Sequence, residues 1–598
     1  MEFNETQTMA INFTKMAKEK MGDKVKDFCI LDVYDDANNR AFSVEFTAYD
    51  YFPIRLNYER GRFGCCILYG ERTVALSNSQ QWWEEADFDV FFKELERELK
   101  LRIPDKFLKA HRWRWYERST TKEKQTLRET VMNEKYFREY ILEETGRIKN
   151  FQNKLENNEV REDRIYSVKR KIDAIQFELL IARYSSGEDI EKLENGLTIM
   201  IVPKKGIQKK YVIWGTNYGS NDSKFIVPGE KEPTEVPKGV AHFLEHKMFE
   251  QESGINSLDT LTALGVEANA YTTNDHTAYL FECTENFYPA LDELMDYVQH
   301  PYFTDENVEK EKGIIGQEIM MYDDYPEWKV YLNTLEAMYH EHPVKLDITG
   351  TIETISHIDK DILYKCYNTF YNPANMAMVI CGDFEPEKLL EEIKKRLIEK
   401  KANGEIKRIY PEEPESIVKE KTEQKMDVSE PLFTIGIKDK VATQKEKVKK
   451  HLAIEILLNM LIGKSSDLYQ ELYKSGVMFS MPGVDYEFSR DYAHILVTGQ
   501  SKEPEKVYES FKNTIRELKE KGIESEEFKR MKKMLYGSFI KEYDEPGDIA
   551  RMFLADFFKG INSFEYLEEI TTINEQYVEQ ILNEVFNENK MILSVIKK

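Results

Sequence analysis

The segment "GVAHFLEHKMFE", residues 239–250, places two histidines and a glutamate within five positions: His242, Glu245 and His246. If this segment is helical, residues four apart lie one turn apart on the same face, and the residue three positions along lies beside both. Two imidazoles in this arrangement could bind one zinc ion, which favours nitrogen ligands and leaves a coordination position open in reactive sites. The competing interpretation is an amphipathic helix that exposes two histidines.

A second helical segment offers the third ligand. "VEKEKGIIGQEIMMYDD", residues 308–324, carries Glu311 and Glu318 about two turns apart on one face. Glu318 would complete a His-His-Glu set for one Zn²⁺ per chain, with Glu245 as the general base that takes a proton from water. Glu311 is placed to bind the other ring nitrogen of a ligand histidine.

Composition excludes several classes of function. The 598 residues are 41% hydrophobic and 32% charged, which is typical of a folded protein of several domains. A net charge of -24 argues against a nucleic-acid partner. No apolar run is long enough for a membrane span, and the six cysteines form no CxxC pair. The first residues, "MEFNETQTMAINF", have neither the basic nor the apolar region of a signal peptide, so we do not expect them to act as one. We therefore expect a cytoplasmic protein with no membrane partner.

The chain before the metal motif predicts two segments of different texture. Short β-type runs between residues 28 and 78, then a helical pattern that stops at Pro104, predict a small α+β domain over residues 1–118. Its last residues, "HRWRWYER" (111–118), are typical either of an aromatic strand or of a stacking surface for single-stranded nucleic acid. Residues 119–187, rich in Glu, Lys, Arg and Leu, predict a helical spacer.

The remainder of the chain contains an internal duplication. The two copies are predicted at residues 188–405 and 429–598, with a polar linker at 406–428. A segment of each copy predicts, in order, a strand, a helix, a short break and a second helix. Aligning Phe303 with Ile523 places Met531 opposite Glu311 and Ser538 opposite Glu318. The second copy is therefore predicted to lack metal ligands.

Residues 190–598 resemble the insulinase/pitrilysin family of zinc metallopeptidases, the inverzincins that carry HxxEH. The motifs that carry the resemblance stand in the family's order: "GVAHFLEHKMFE", "EANAYTTNDHTAYLFE", "VEKEKGIIGQEI" and "FYNPANMAMVICGDFEPEKL". The resemblance implies an α+β fold in which two homologous α/β insulinase-like domains form a half-clamshell. It also implies endopeptidase activity on short or unfolded peptides that are enclosed between two such halves, such as a peptide-processing protease performs.

The resemblance also implies roles for individual residues. His242, His246 and Glu318 match the zinc ligands, Glu245 the base and Glu311 the outer glutamate. Asn269 and Ala270 lie in the segment that matches the family's substrate-binding edge strand, where an extended peptide would add to the sheet through backbone hydrogen bonds. A plain sheet edge is the alternative. His276, a few residues on, is expected to be exposed.

One departure from the family concerns its partner. The second domain of the family supplies an arginine and a tyrosine to a zinc site across the chamber. Here the matching stretch "LYKSGVMFS" (472–480) has Tyr473 and Phe479 at those positions, although Tyr486, Arg490 or Tyr492 could substitute. We therefore expect a heterodimer with a zinc-free homologous subunit that supplies Arg and Tyr. The competing function is a non-catalytic or adaptor subunit whose N-terminal module binds a partner protein or peptide.

Overall fold

The computed structural model describes residues 4–35, 40–49, 52–69, 72–76, 81–102 and 190–598. The chain divides into two compact units, Met1–Thr130 and Val131–Lys598. The predicted helical spacer and the "HRWRWYER" segment lie outside the described residues.

The described residues of the first unit form a six-stranded antiparallel sheet flanked by two helices. In chain order its elements are α1 (Glu5–Met21), β1 (Val25–Tyr34), β2 (Ala41–Ala48), β3 (Phe52–Glu59), β4 (Arg62–Tyr69), β5 (Arg72–Ala75), β6 (Gln81–Trp82) and α2 (Phe88–Arg102). The sheet runs β1-β2-β3-β4-β5 as an antiparallel meander, with β6 also paired to β4. Phe13 of α1 packs against Phe46 of the sheet and Phe92 of α2, which closes the core of this unit.

The described part of the second unit, from residue 190, starts with a six-stranded sheet and a small three-stranded one. The strands are β7 (Ile190–Lys192), β8 (Thr198–Pro203), β9 (Lys210–Thr216), β10 (Lys224–Ile226), β11 (Thr234–Glu235), β12 (Glu267–Thr272), β13 (Thr277–Cys283), β14 (Met376–Gly382) and β15 (Lys407–Arg408). The helices are α3 (Val240–Lys247), α4 (Ser257–Ala263), α5 (Phe287–Gln299), α6 (Asp305–Asp323), α7 (Pro326–Met338), α8 (Ile352–Ser356), α9 (Lys360–Phe370) and α10 (Pro386–Arg396). The large sheet has the order β12-β13-β9-β14-β8-β7, and the small one β11-β10-β15.

A five-stranded sheet with its own helices follows. Its strands are β16 (Lys421–Lys425), β17 (Leu432–Asp439), β18 (Gly483–Phe488), β19 (Ala493–Gln500) and β20 (Met591–Lys597), in the order β16-β20-β17-β19-β18. The helices are α11 (Lys447–Ile462), α12 (Asp467–Lys474), α13 (Pro504–Lys521), α14 (Ser525–Glu542), α15 (Pro546–Lys559), α16 (Glu565–Thr572) and α17 (Glu575–Val585).

The two large sheets of the second unit have the same topology. Strands β12, β13, β9, β14 and β8 correspond in order to β18, β19, β17, β20 and β16. In each set, the pairs are antiparallel except the last, β14 with β8 and β20 with β16, which is parallel. This correspondence matches the internal duplication inferred from the sequence.

Each sheet is covered by a helix from the other half. Helix α7 follows the metal-motif helices in sequence but packs on β17 and β20, whereas α15 packs on β9 and β14. We call α7 and α15 the exchanged helices. A glycine on each central strand permits the close approach: a Cβ on Gly436 would lie 2.7 Å from Met338, and a Cβ on Gly215 would lie 2.7 Å from Leu554. The two halves therefore share their cores.

The segment predicted as a linker at 406–428 contains two strands. β15 pairs with β10, and β16 pairs with the C-terminal strand β20. β16 alternates exposed and half-buried residues in "KTEQK", and such a polar edge strand carries no apolar signal by which the sequence could reveal it.

None of the helices in the described part of the chain combines the length and the apolar character needed to cross a lipid bilayer.

Candidate metal and peptide site

Helix α3 carries the two histidines and begins at a position that only glycine can occupy without strain. Gly239, its N-cap, has φ 94°, and a Cβ there would lie 2.5 Å from the carbonyl oxygen of Thr349. Phe243 and Leu244 anchor the helix in the core. Because α3 contacts both β12 and α6, it brings its polar residues to the junction of an edge strand and the second helix of the motif.

His242, His246 and Glu318 meet at this junction. His242 Nε2 lies 3.7 Å from Glu318 Oε1, and His246 Nε2 lies 3.5 Å from Glu318 Oε2. One ligand atom from each residue falls within 4.8 Å of the others, and the described residues contain no other such group of three or more His, Cys, Asp or Glu. Two ligands of a tetrahedral zinc ion, each about 2.0–2.1 Å from the metal, are separated by about 3.3 Å.

Two further observations fit a bound cation. Glu318 Oε2 is buried and has no hydrogen-bond partner, which is costly for a carboxylate unless a metal or another cation compensates it. Burial and the neighbouring imidazole of His246 lower the pKa of His242 to about 3. A neutral imidazole is the form that binds metal. The residues present therefore fit a zinc ion with two imidazoles and one carboxylate.

Glu311 contacts the ring nitrogen of His246 that does not face Glu318. Its Oε1 lies 3.1 Å from His246 Nδ1, and its Oε2 lies 3.4 Å from the ammonium group of Lys247. Burial alone would raise the pKa of Glu311, but the hydrogen bond from His246 and the charge of Lys247 outweigh it and hold that pKa below its usual range. Glu311 is therefore an anion that can fix the ring orientation of His246. Lys247 was not singled out from the sequence.

Glu245 lies on the same helix and is buried, and burial raises its pKa. The hydroxyl of Thr272 donates a hydrogen bond of 2.6 Å to Glu245 Oε2. Thr272 is the last residue of β12, so the candidate base is tied directly to the candidate substrate strand. The sequence contained Thr272 within the quoted motif, but nothing in its spacing indicated this contact.

Strand β12 is the edge of its sheet, as the sequence predicted. Thr273 N–H donates to the His276 carbonyl and closes the β12–β13 hairpin, and hydrogen-bonded pairs alternate along an antiparallel ladder from that point. Ala270 therefore turns its backbone groups towards the open edge, and its N–H donates to the Asn269 side chain at 2.9 Å. The backbone groups of Asn269 face β13, so Asn269 offers its exposed side chain instead. His276, expected to be exposed, is buried.

The second half places its candidate residues in two different settings. Tyr473 and Phe479 are 52% and 48% exposed. The three possible substitutes are engaged within the chain: the Tyr486 hydroxyl donates to Asp439, Tyr492 donates to Asp275, and Arg490 lies 3.5 Å from the Tyr410 hydroxyl. Tyr486 and Tyr492 are therefore buried and engaged inside the chain, whereas the Arg490 side chain is 27% exposed.

Comparisons with known proteins agree with this fold. A family model described as insulinase (peptidase family M16) matches residues 226–352, and one described as peptidase M16 inactive domain matches residues 357–535. The uncharacterized zinc protease YmfH of Bacillus subtilis is 39% identical over 398 residues, which is 66% of this chain and 92% of that protein. The zinc protease YmxG of the same organism is 25% identical over 61% of this chain and 90% of that protein.

Solved structures show the same architecture. An M16-like peptidase from Alicyclobacillus acidocaldarius superimposes with a TM-score of 0.66 at 33% identity, covering 68% of this chain and 98% of that one. A protease from Helicobacter pylori gives a TM-score of 0.59 at 20% identity, over 68% of this chain and 99% of that one. The fold is thus that of a two-domain α/β peptidase. The chain belongs to the insulinase (M16) family of zinc metallopeptidases, which confirms the resemblance and the predicted fold class.

Proposed function

We propose that this chain is a zinc-dependent endopeptidase that hydrolyses short or unfolded peptides held between two such half-clamshells. The observation that carries the proposal is the convergence of His242, His246 and Glu318, from two helices, beside Glu245. The named zinc proteases among its relatives support the same chemistry.

In this proposal His242, His246 and Glu318 would hold one zinc ion. When bound, the ion would polarise the substrate carbonyl and make a water molecule more acidic. Glu245 would take the proton of the attacking water and later return it to the leaving amine. The outward backbone groups of Ala270, assisted by the Asn269 side chain, would hold the peptide as an added strand, which gives affinity with little sequence preference.

Replacing Glu245 by Gln tests the mechanism, because an amide cannot accept the proton of water. We expect the variant to keep stoichiometric zinc and the parent unfolding temperature, but to lose turnover of a quenched fluorescent unfolded peptide. Glu252→Gln, at an exposed glutamate on the loop after α3, is the matched control and should retain activity. Full activity of Glu245→Gln would contradict the mechanism, and a parent chain that takes up no zinc would contradict the enzyme proposal itself.

The proposed assembly is a heterodimer with a zinc-free homologous subunit. Tyr473 cannot present a guanidinium group and Phe479 has no hydroxyl, so this chain lacks the donors that the family aims at a zinc site across the chamber. The exposure of both side chains and the burial of Tyr486 and Tyr492 support this assembly. The partner would supply the arginine and tyrosine that stabilise the oxyanion.

The chain alone should therefore bind zinc yet cleave peptides slowly, and Tyr473→Arg with Phe479→Tyr should raise its turnover at least tenfold by restoring two donors. Peptide cleavage is measured for the double variant and for Met481→Tyr, a control at a neighbouring exposed residue. If the unmodified chain is highly active as a homodimer, and neither the double substitution nor an added partner raises its activity, the proposed heterodimer is ruled out.

A cytoplasmic role in peptide processing completes the proposal. All six cysteines of the chain are unpaired and five of them are buried, which suits a reducing compartment.

A further inference from the structure

The ammonium group of Lys247 is buried directly behind the metal-ligand cluster. Its side chain is 0% exposed, and its Nζ lies 2.6 Å from Glu250 Oε2 and 3.4 Å from Glu311 Oε2. A buried ammonium ion is costly unless anions compensate it. Lys247 therefore occupies a position where its charge is matched to specific carboxylates.

Glu311 connects this lysine to a candidate zinc ligand. The two oxygens of Glu311 have different partners: Oε2 faces Lys247, and Oε1 faces His246 Nδ1 at 3.1 Å. A carboxylate held at both oxygens cannot rotate without losing one contact. A histidine that donates from Nδ1 presents the lone pair of Nε2, and His246 Nε2 is directed at Glu318.

We propose that Lys247 is a positioning residue, which holds the Glu311 carboxylate in the orientation that fixes the ring of His246 for metal binding. The inference rests on the proposed function, since it assigns zinc to the cluster. Glu250 completes the environment of the ammonium group but does not touch the histidines. The path of influence therefore runs from Lys247 through Glu311 to His246.

Lys310 provides a matched control. Its ammonium group lies 3.6 Å from Glu250 Oε1, in the same charged cluster, but its side chain is 68% exposed. Removing Lys310 changes the net charge near the site as much as removing Lys247 does, without disturbing Glu311. Removing a positive charge would by electrostatics alone strengthen the binding of a metal cation in either variant, and less so for the solvent-screened Lys310. Loss of positioning would instead weaken metal binding, in Lys247→Met alone.

The test is a double-mutant cycle on zinc affinity, measured by competition with a chromogenic chelator, for Lys247→Met, Glu311→Gln, both together, and Lys310→Met. We expect each of the first two variants to bind zinc about 10- to 100-fold more weakly, as loss of an outer partner typically does. The double variant should match Glu311→Gln within about threefold, because both changes break the same link. Lys310→Met should bind like the parent. The visible absorption of the Co²⁺ form should change in Lys247→Met, since the ring of His246 is released.

Additive losses in the double variant, or a Lys247→Met protein with parental zinc affinity and Co²⁺ spectrum, would overturn the proposal. If Lys247→Met does not fold, the double variant is compared with Glu311→Gln. In the double variant Glu250 keeps Lys310 as a partner and residue 311 carries no charge. Equal zinc affinity of the two proteins supports the link between Lys247 and Glu311, and a further tenfold loss overturns it. A parent chain that binds no zinc refutes the proposed function as well, whereas a zinc-binding parent that is insensitive to Lys247→Met refutes this inference alone.

Discussion

At the scale of single residues, the contact between Thr272 and Glu245 joins the strand proposed to bind peptide to the proposed general base. Thr272→Val removes the hydroxyl but keeps the shape, so the buried carboxylate of Glu245 loses a hydrogen bond of a kind worth about 1.5–3 kcal/mol. We expect kcat for peptide cleavage to fall by about tenfold or more while zinc stoichiometry stays unchanged. Thr272→Ser, which keeps the donor, should recover most of the rate. Equal kcat in the valine variant and the parent would show that Glu245 needs no such support.

The spacing of residues predicted part of this site and could not predict the rest. His242 and His246 follow from the helical repeat, and Glu318 follows from its position two turns from Glu311. The contact of Thr272 with Glu245 depends on how β12 docks against α3. Which of Asn269 and Ala270 turns its backbone to the open edge depends on the hairpin register, because one residue of shift reverses every side. Neither the docking of β12 against α3 nor the register of the β12–β13 hairpin can be inferred from the spacing of residues along the chain.

At the scale of elements, the exchanged helices cross the sheets at glycines. Gly436→Ala would drive a methyl group into Met338 and Thr334 of α7, at 2.7 Å from each. Overpacking of this kind typically costs about 1–3 kcal/mol, and we expect a lower unfolding temperature. The control is Gly537→Ala in the middle of α14, where a Cβ meets nothing within 4 Å; there, alanine should stabilise the helix by about 0.5–1 kcal/mol. Equal stability of Gly436→Ala and the parent would mean that α7 can move away freely.

The exchange of α7 and α15 could not have been inferred from the sequence. Both helices have apolar residues at helical spacing and a proline at their first turn, which predicts that they are helices. Nothing in that pattern says which of two similar sheets each helix covers, because the periodicity reports an apolar face and not its partner.

At the scale of the whole second unit, Glu413 joins the two halves. Its carboxylate accepts hydrogen bonds from the backbone N–H groups of residues 340–342 and from Lys438 of β17. Burial opposes ionisation, but these donors outweigh it and lower the pKa of Glu413 from its ordinary 4.5 to about 2. A folded-state pKa below the unfolded one stabilises the fold above about pH 4.5, and this contribution is lost as the pH falls towards 2.

Glu413→Gln should therefore destabilise the protein near neutral pH, by about 1–2 kcal/mol for the loss of charged hydrogen bonds at a partly exposed group. The difference from the parent should shrink as the pH falls below about 4.5. Urea unfolding at pH 7 and pH 3 measures this difference in the free energy of unfolding. Glu412→Gln, at the exposed neighbouring residue, is the control. A difference that is the same at both pH values would mean that the ionised form of Glu413 plays no part.

The exchanged helices also set the order of events during synthesis. The residues of the metal cluster leave the ribosome well before α15, which covers the sheet on which that cluster is built. Domains usually fold as units as they emerge, but here β9 and β14 lack the cover of α15 until most of the second half has been translated. A chain whose translation stops early would lack the helix that covers the sheet of the half with the candidate metal site.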